Sequence, residues 1–141
     1  MEKILRGVLR AETQAIAIYT AEMFWIKNPT RRAALLKIRE EEIEHQNGLA
    51  PFSPLIRISL KLDRISGLLL GTLLSALPWS VLCSVQSWAE NEAAKIYAQA
   101  AKALRDHGGD LPLGLLEKLQ AAERQEQEHS LFFQGPARKL Y

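Results

Sequence analysis

Two stretches of this sequence carry residue types at a spacing that can do metal chemistry. Glu42-x-x-His45, within REEEIEH at 39–45, and Glu126-x-x-His129, within EQEH at 126–129, each set a carboxylate three residues before an imidazole. On a helix that spacing puts both side chains on one face, so each pair can reach a single point. The pairs are related by the same offset, 84 residues for the glutamates and for the histidines. A second, weaker repeat relates ETQAIAIY from Glu12 to ENEAAKIY from Glu90. Glu44 and Glu128 directly precede the histidines, and adjacent helical residues do not share a face, so both are read as solvent-side. Glu40 and Glu41 are expected mostly at the surface as well, because the position matching Glu41 before His129 is Gln125.

The competing explanation is a charged helix surface that carries its histidines by accident. With 13 glutamates in 141 residues, finding two of three histidines with a glutamate three positions back is an event of a few per cent. The elements that must position these residues make accident less plausible. The chain has 13 glutamates but only 3 aspartates, and Glu, unlike Asp, is a good helix former. Breakers then divide it into long periodic stretches. NPT at 28–30 ends the first, with Thr30 as the expected N-cap of the second, which stops near Asn47-Gly48. APFSP at 50–54 reads as loop. A third long helix runs from about Trp79 to Asp106, with His107 in the following HGGD expected as a C-terminal cap. A fourth begins at the Leu111-Pro112 pair and fades near QGP at 134–136.

Each long helix has an inward stripe with steps of three and four, as packing in a bundle requires. The stripes are apolar except in the middle, where Glu12, Glu42, Glu90 and Glu126 fall inward, with His45 and His129 one turn after two of them. No lysine or arginine stands on the stripes at that level. Unpartnered buried carboxylates cost several kcal/mol each, more together than a domain can carry. Two divalent cations would neutralise all four, and the N/O donor set suits iron, with manganese as the other candidate. One Glu from each of two helices plus Glu-x-x-His from each of the other two is the donor set of ferritin-like di-metal bundles. The expected fold is therefore all-α, a single ferritin-like four-helix bundle over residues 1–141, with a short apolar helix or corner between the second and third bundle helices.

These motifs resemble the demethoxyubiquinone hydroxylases, the ferritin-like di-iron monooxygenases of ubiquinone biosynthesis. The resemblance runs from about Leu5 to Phe133 and rests on Glu12 with Ile18-Tyr19, Glu42-x-x-His45, Glu90 with Tyr97, and Glu126-x-x-His129. It implies that Glu42 and Glu126 bridge two irons, that Glu12 and Glu90 are terminal ligands, and that the chain uses O2 to hydroxylate a hydrophobic quinone or quinol. Tyr19 and Tyr97, seven residues beyond Glu12 and Glu90, are candidates to hydrogen-bond around the site or guide electrons, or else they fill the core. Lys95 and Ile96 stand where the family carries two histidines, and Glu22 stands where it tends to carry glutamine.

From Ile65 to Ala89 there are 25 positions without a charge, long enough for a membrane span. Spanning would put Glu90 across the bilayer from Glu12 and Glu42. Gly67, Gly71 and Pro78 also interrupt the run, so it is read as an apolar helix and corner. Residues 55–80 are then expected to touch a membrane surface or a second subunit, with Trp79 and Trp88 near the boundary. The net charge of +2 has no dense basic block, so a nucleic-acid partner is not expected. Cys83 is the single cysteine and is read as a small buried hydrophobe. The first residues read as neither secretory signal nor transit peptide, so the expected location is cytoplasmic, at the inner face of a membrane. Homodimerisation is expected as well. Two other functions stay open: a ferritin- or rubrerythrin-like iron-oxidising or peroxide-removing protein, and a non-enzymatic quinone- or lipid-binding bundle.

Overall fold

The computed structural model describes residues 2–52, 60–106 and 112–140. Among them every regular element is helical. Helix α1 spans Glu2–Trp25, α2 Pro29–Leu49, α3 Leu60–Leu74, α4 Trp79–Asp106 and α5 Leu115–Gln134, with short 3-10 turns at Ala50–Phe52 and Ala137–Lys139.

Local chemistry sets the boundaries and corrects two expectations. The cap of α2 is Asn28, not Thr30: its side chain accepts the Arg31 N–H at 3.0 Å, and Pro29, which has no N–H to satisfy, opens the helix. The same helix ends at Leu49, beside the expected stop at Asn47-Gly48, and Leu49 is buried in the core. Helix α5 starts at Leu115 rather than at the Leu111-Pro112 pair. Gly114 takes a left-handed φ of 78°, and the Leu115 N–H bonds to the Pro112 carbonyl at 3.1 Å, so a turn precedes the helix. The expectation for His107 lies outside the described residues.

Helices α1, α2, α5 and α4 touch in a closed ring: α1 meets α2 and α4, and α5 meets the same two. Two apolar clusters form inside this bundle. Leu5, Leu49, Leu104, Leu115 and Leu119 belong to one, and Leu35, Ile38, Cys83, Phe133 and Ala137 to the other. The inward acids of all four helices lie between these clusters in the sequence of each stripe and are buried with them.

Helix α3 packs on the outside of α1, and small residues set the distance. A Cβ on Gly67 would lie 2.7 Å from the Gln14 carbonyl oxygen, and one on Gly71 would run into the backbone of Ile18. Asp63 anchors the start of the helix: it is buried and accepts two hydrogen bonds from Arg10, at 2.9 and 3.0 Å. The uncharged run 65–89 is thus split between α3 and α4 by a corner at 75–78, and no described helix is long and apolar enough to cross a membrane. Leu62, Ile65, Leu69 and Leu73 remain exposed on the outer face of α3. Trp79 is committed internally: its Nε1–H donates to the Ala137 carbonyl at 2.8 Å and Arg31 lies over its ring. Trp88 is 65% exposed.

The close approach of α3 to α1 yields a paired test. Gly71→Ala should lower stability in urea unfolding by about 1–3 kcal/mol through overpacking. Gly7→Ala, in α1 with nothing within 4 Å of the new Cβ, should raise it by about 0.5–1 kcal/mol. Equal effects at the two positions would contradict the packing described.

Candidate metal centre

The six predicted ligands come from four helices, and the fold brings them together. Glu12, Glu42, His45 and Glu126 form one group and Glu42, Glu90, Glu126 and His129 another, each able to offer one donor atom with all four donors within 4.8 Å of one another. Glu42 and Glu126 belong to both groups. His45 Nδ1 stands 3.1 Å from Glu126, 3.5 Å from Glu42 and 3.8 Å from Glu12. His129 Nδ1 stands 3.4 Å from Glu42 and 3.8 Å from both Glu90 and Glu126. The arrangement is therefore nearly two-fold: α1 with α2 is exchanged for α4 with α5.

The same exchange governs the groups behind the donors. The Tyr97 hydroxyl donates to Glu12 at 2.5 Å, and the Tyr19 hydroxyl donates to Glu90. Each tyrosine thus ties a carboxylate on the opposite long helix while also filling the core, Tyr19 by stacking on Phe133 and Tyr97 edge-on to His45. His45 Nε2 is 3.0 Å from the Gln125 side-chain oxygen, and His129 Nε2 is 2.7 Å from a Glu41 carboxylate oxygen. Both acceptors lack a proton to give, so both imidazoles are fixed with Nε2–H outward and Nδ1 facing the carboxylates.

Glu41 corrects the sequence reading. It was expected mostly at the surface, but its side chain is only 22% exposed because it crosses from α2 to His129 on α5. Gln125 enters the sequence pattern only as the neutral counterpart of Glu41, with no role assigned to it. A signal for both was present: they occupy the positions just before Glu42 and Glu126, at the same 84-residue offset as the ligands. Glu40, Glu44 and Glu128 are exposed, as expected.

Electrostatics show what these residues are suited to hold. Burial raises Glu12 well above the usual carboxylate range, with the nearby Glu42 adding to it, and burial likewise raises Glu90. For His45 burial alone would favour the neutral ring, but the Glu126 and Glu42 carboxylates win and raise it to about 10. His129 is raised too, again against burial, by Glu126, Glu42 and Glu90. For Glu126 burial pushes up but the two imidazoles hold it at about 2. Glu12, Glu90 and the two rings thus take up protons that offset the cluster's negative charge, and divalent cations would displace those protons. The donor atoms fit that role. Glu12 Oε2, Glu42 Oε1, both Glu126 oxygens and both Nδ1 atoms are buried without a hydrogen-bond partner. Unpaired lone pairs converging from opposite sides are what a metal ion satisfies, and these buried Glu/His clusters can hold one.

Two other buried groups are separate from the donors. Glu22 on α1 accepts from Gln86 Nε2 at 2.6 Å, and burial raises its acid from 4.5 to about 8 against that hydrogen bond. Cys83 is buried in the apolar cluster, and burial raises its thiol to about 11, which leaves it protonated and unreactive. An apolar cleft of about 200 Å³ opens between α1 and α4. Its walls include Ala15, Ile18, Trp88, Ala93 and Ile96, and Glu12, Glu90 and Glu126 also line it.

Removing a donor should separate metal binding from folding. Glu42→Ala or Glu126→Ala should abolish paired-cation binding measured by metal analysis of dialysed protein, whereas Glu44→Ala and Glu128→Ala should bind as the parent does. Saturating cation should raise the melting temperature of the parent and of the surface variants only. Equal loss in both sets would refute the assignment of faces.

Glu22 gives a pH test. Its folded acid is raised above the unfolded one, so folding takes up a proton between about pH 4.5 and pH 8 and stability falls as pH rises through that window. Glu22→Gln keeps the acceptor for Gln86 and cannot ionise. The variant should match the parent near pH 4 and exceed it above pH 8, by up to roughly 5 kcal/mol. Parallel stability curves across that range would remove Glu22 as a buried titrating group.

Comparison with protein-family models, with curated proteins and with solved structures found no match for this chain.

Proposed function

We propose that this chain is a ferritin-like di-iron monooxygenase that uses O2 to hydroxylate a hydrophobic quinone or quinol, the activity of the demethoxyubiquinone hydroxylases its motifs resemble. One observation carries the reading: a six-residue Glu/His cluster is reached through an apolar cleft lined by Trp88, Ile18 and Ile96. In this reading Glu12, Glu42, His45 and Glu126 would hold one iron and Glu42, Glu90, Glu126 and His129 the other, with manganese as the alternative metal. The bound pair supplies the oxygen chemistry. The protein's own residues supply the rest. Trp88 and the cleft aliphatics orient a flat ring and exclude water. Tyr97 and Tyr19 hold Glu12 and Glu90 in place by hydrogen bonds. Gln125 and Glu41 hold the imidazoles in the tautomer that ligates.

The apolar cleft favours a hydrophobic organic substrate over the iron or peroxide traffic of a ferritin- or rubrerythrin-like protein. Gln14 and Ile18 belong both to the cleft wall and to the seat of α3. The exposed leucines of α3 would then rest on the cytoplasmic face of a membrane or on a second copy of the chain, and a quinone tail would pass between.

Iron-loaded protein supplied with reductant, O2 and a short-tailed demethoxyquinone should release a hydroxylated product. Ala93→Phe, which fills the cleft, should lower that rate on the order of tenfold or more while leaving two metals per chain. Absence of product from loaded protein, with rapid Fe(II) oxidation that ignores the quinone, would overturn this function in favour of iron oxidation.

A further inference from the structure

Among the groups that hold the two imidazoles, the near two-fold symmetry of the centre is broken in charge. His129 donates its Nε2–H to the Glu41 carboxylate at 2.7 Å, whereas His45 donates its own to the neutral Gln125 amide oxygen at 3.0 Å. A ring whose outer N–H is held by a carboxylate is the more basic donor at its other nitrogen, and hydrogen-bond partners of this kind tune metal affinity. Glu41 also adds a negative charge beside one group of donors that the other group lacks. Lys37 faces the far oxygen of Glu41 at 3.6 Å, but Lys37 is 78% exposed and a pair of that kind cancels little of the charge. The other donors are matched across the two-fold: Glu42 and Glu126 serve both groups, and Glu12 and Glu90 each accept from a tyrosine.

We infer that the two cation positions are unequal by construction, with Glu41 as the positioning residue: the group Glu42, Glu90, Glu126 and His129 takes a divalent cation first and more tightly, and the group around His45 fills second. The inference rests on the two-cation reading above. Exchange of the Glu41 and Gln125 side chains should reverse the order, because Glu42 and Glu126 serve both groups and Glu12 and Glu90 are each held by a tyrosine.

The test is anaerobic titration of the whole chain with cobalt(II), followed by the absorbance of the bound ion and by calorimetry. The parent should bind two ions in resolved steps. His45→Ala should keep the tight step and His129→Ala should lose it. The charge-conserving exchange Glu41→Gln with Gln125→Glu should restore two steps with the assignment inverted, so that His45→Ala in that background removes the tight one. If the exchanged chain does not fold by circular dichroism, the single variants carry the test. Glu41→Gln should weaken the first step about 10–100-fold and spare the second, and Gln125→Glu should tighten the second. Two ions bound with one affinity, or an order that the exchange leaves unchanged, would overturn this inference and leave the metal pair intact. Fewer than two ions on the parent would overturn the pair, and the inequality with it.

Discussion

Four buried carboxylates at one level of a helical bundle are the constraint from which the rest of this structure follows. Like charges this close repel, and burial removes the water that would screen them. Protons on Glu12 and Glu90 and on the two imidazoles relieve the strain in one way, and divalent cations relieve it in another. The apolar clusters to either side make the choice necessary. Leu5, Leu104 and Leu119 on one side, and Leu35, Cys83 and Phe133 on the other, belong to apolar clusters whose side chains offer an ion no ligand. The same core holds the donors still, so that pairing is a matter of small distances rather than of large side-chain movements.

The ties around the donors run between helices and not along them. Tyr97 on α4 reaches Glu12 on α1, and Tyr19 on α1 reaches Glu90 on α4. Gln125 on α5 holds His45 on α2, and Glu41 on α2 holds His129 on α5. Each bond therefore does two things: it orients a donor and it pins the spacing of two rods, as the Gln86–Glu22 bond also does for α4 and α1. Helix α3 contributes nothing to the donor set. It is fastened to α1 by the Gly67 and Gly71 contacts and by the Arg10–Asp63 pair, and it leaves its leucines outward beside the α1–α4 cleft.

Three positions mark where the surroundings of the donors depart from those of the demethoxyubiquinone hydroxylases that the motifs resemble. Lys95 and Ile96 precede Tyr97 where the demethoxyubiquinone hydroxylases carry two histidines. Lys95 is exposed and pairs with Glu92, and Ile96 lines the cleft. In the proposed reading no imidazole delivers protons or electrons from that turn, and the cleft wall gains an apolar surface instead. Glu22, where those enzymes tend to carry glutamine, is buried against Gln86 with one oxygen unpaired, so this chain carries an additional buried acid below the centre.

What the sequence determined by itself is what depends on period and residue type. Steps of three and four assigned the inward faces, so Glu12, Glu42, Glu90, Glu126 and the two histidines were readable as one layer, and the all-helical fold with a split apolar segment was readable too. Boundaries were less legible, because Asn28, Gly114 and Leu49 depend on which backbone group finds a partner or which side chain finds the core. The role of Glu41 was hidden for a similar reason. Periodicity places a residue relative to its own helix, whereas Glu41 acts on a histidine 88 positions away on another one. Only the tertiary structure decides which helix faces which. It thereby gave Glu41 to His129 and Gln125 to His45, paired each tyrosine with the other helix's glutamate, and opened the cleft between α1 and α4: all are contacts across rods, set by packing distances that no spacing within one rod contains.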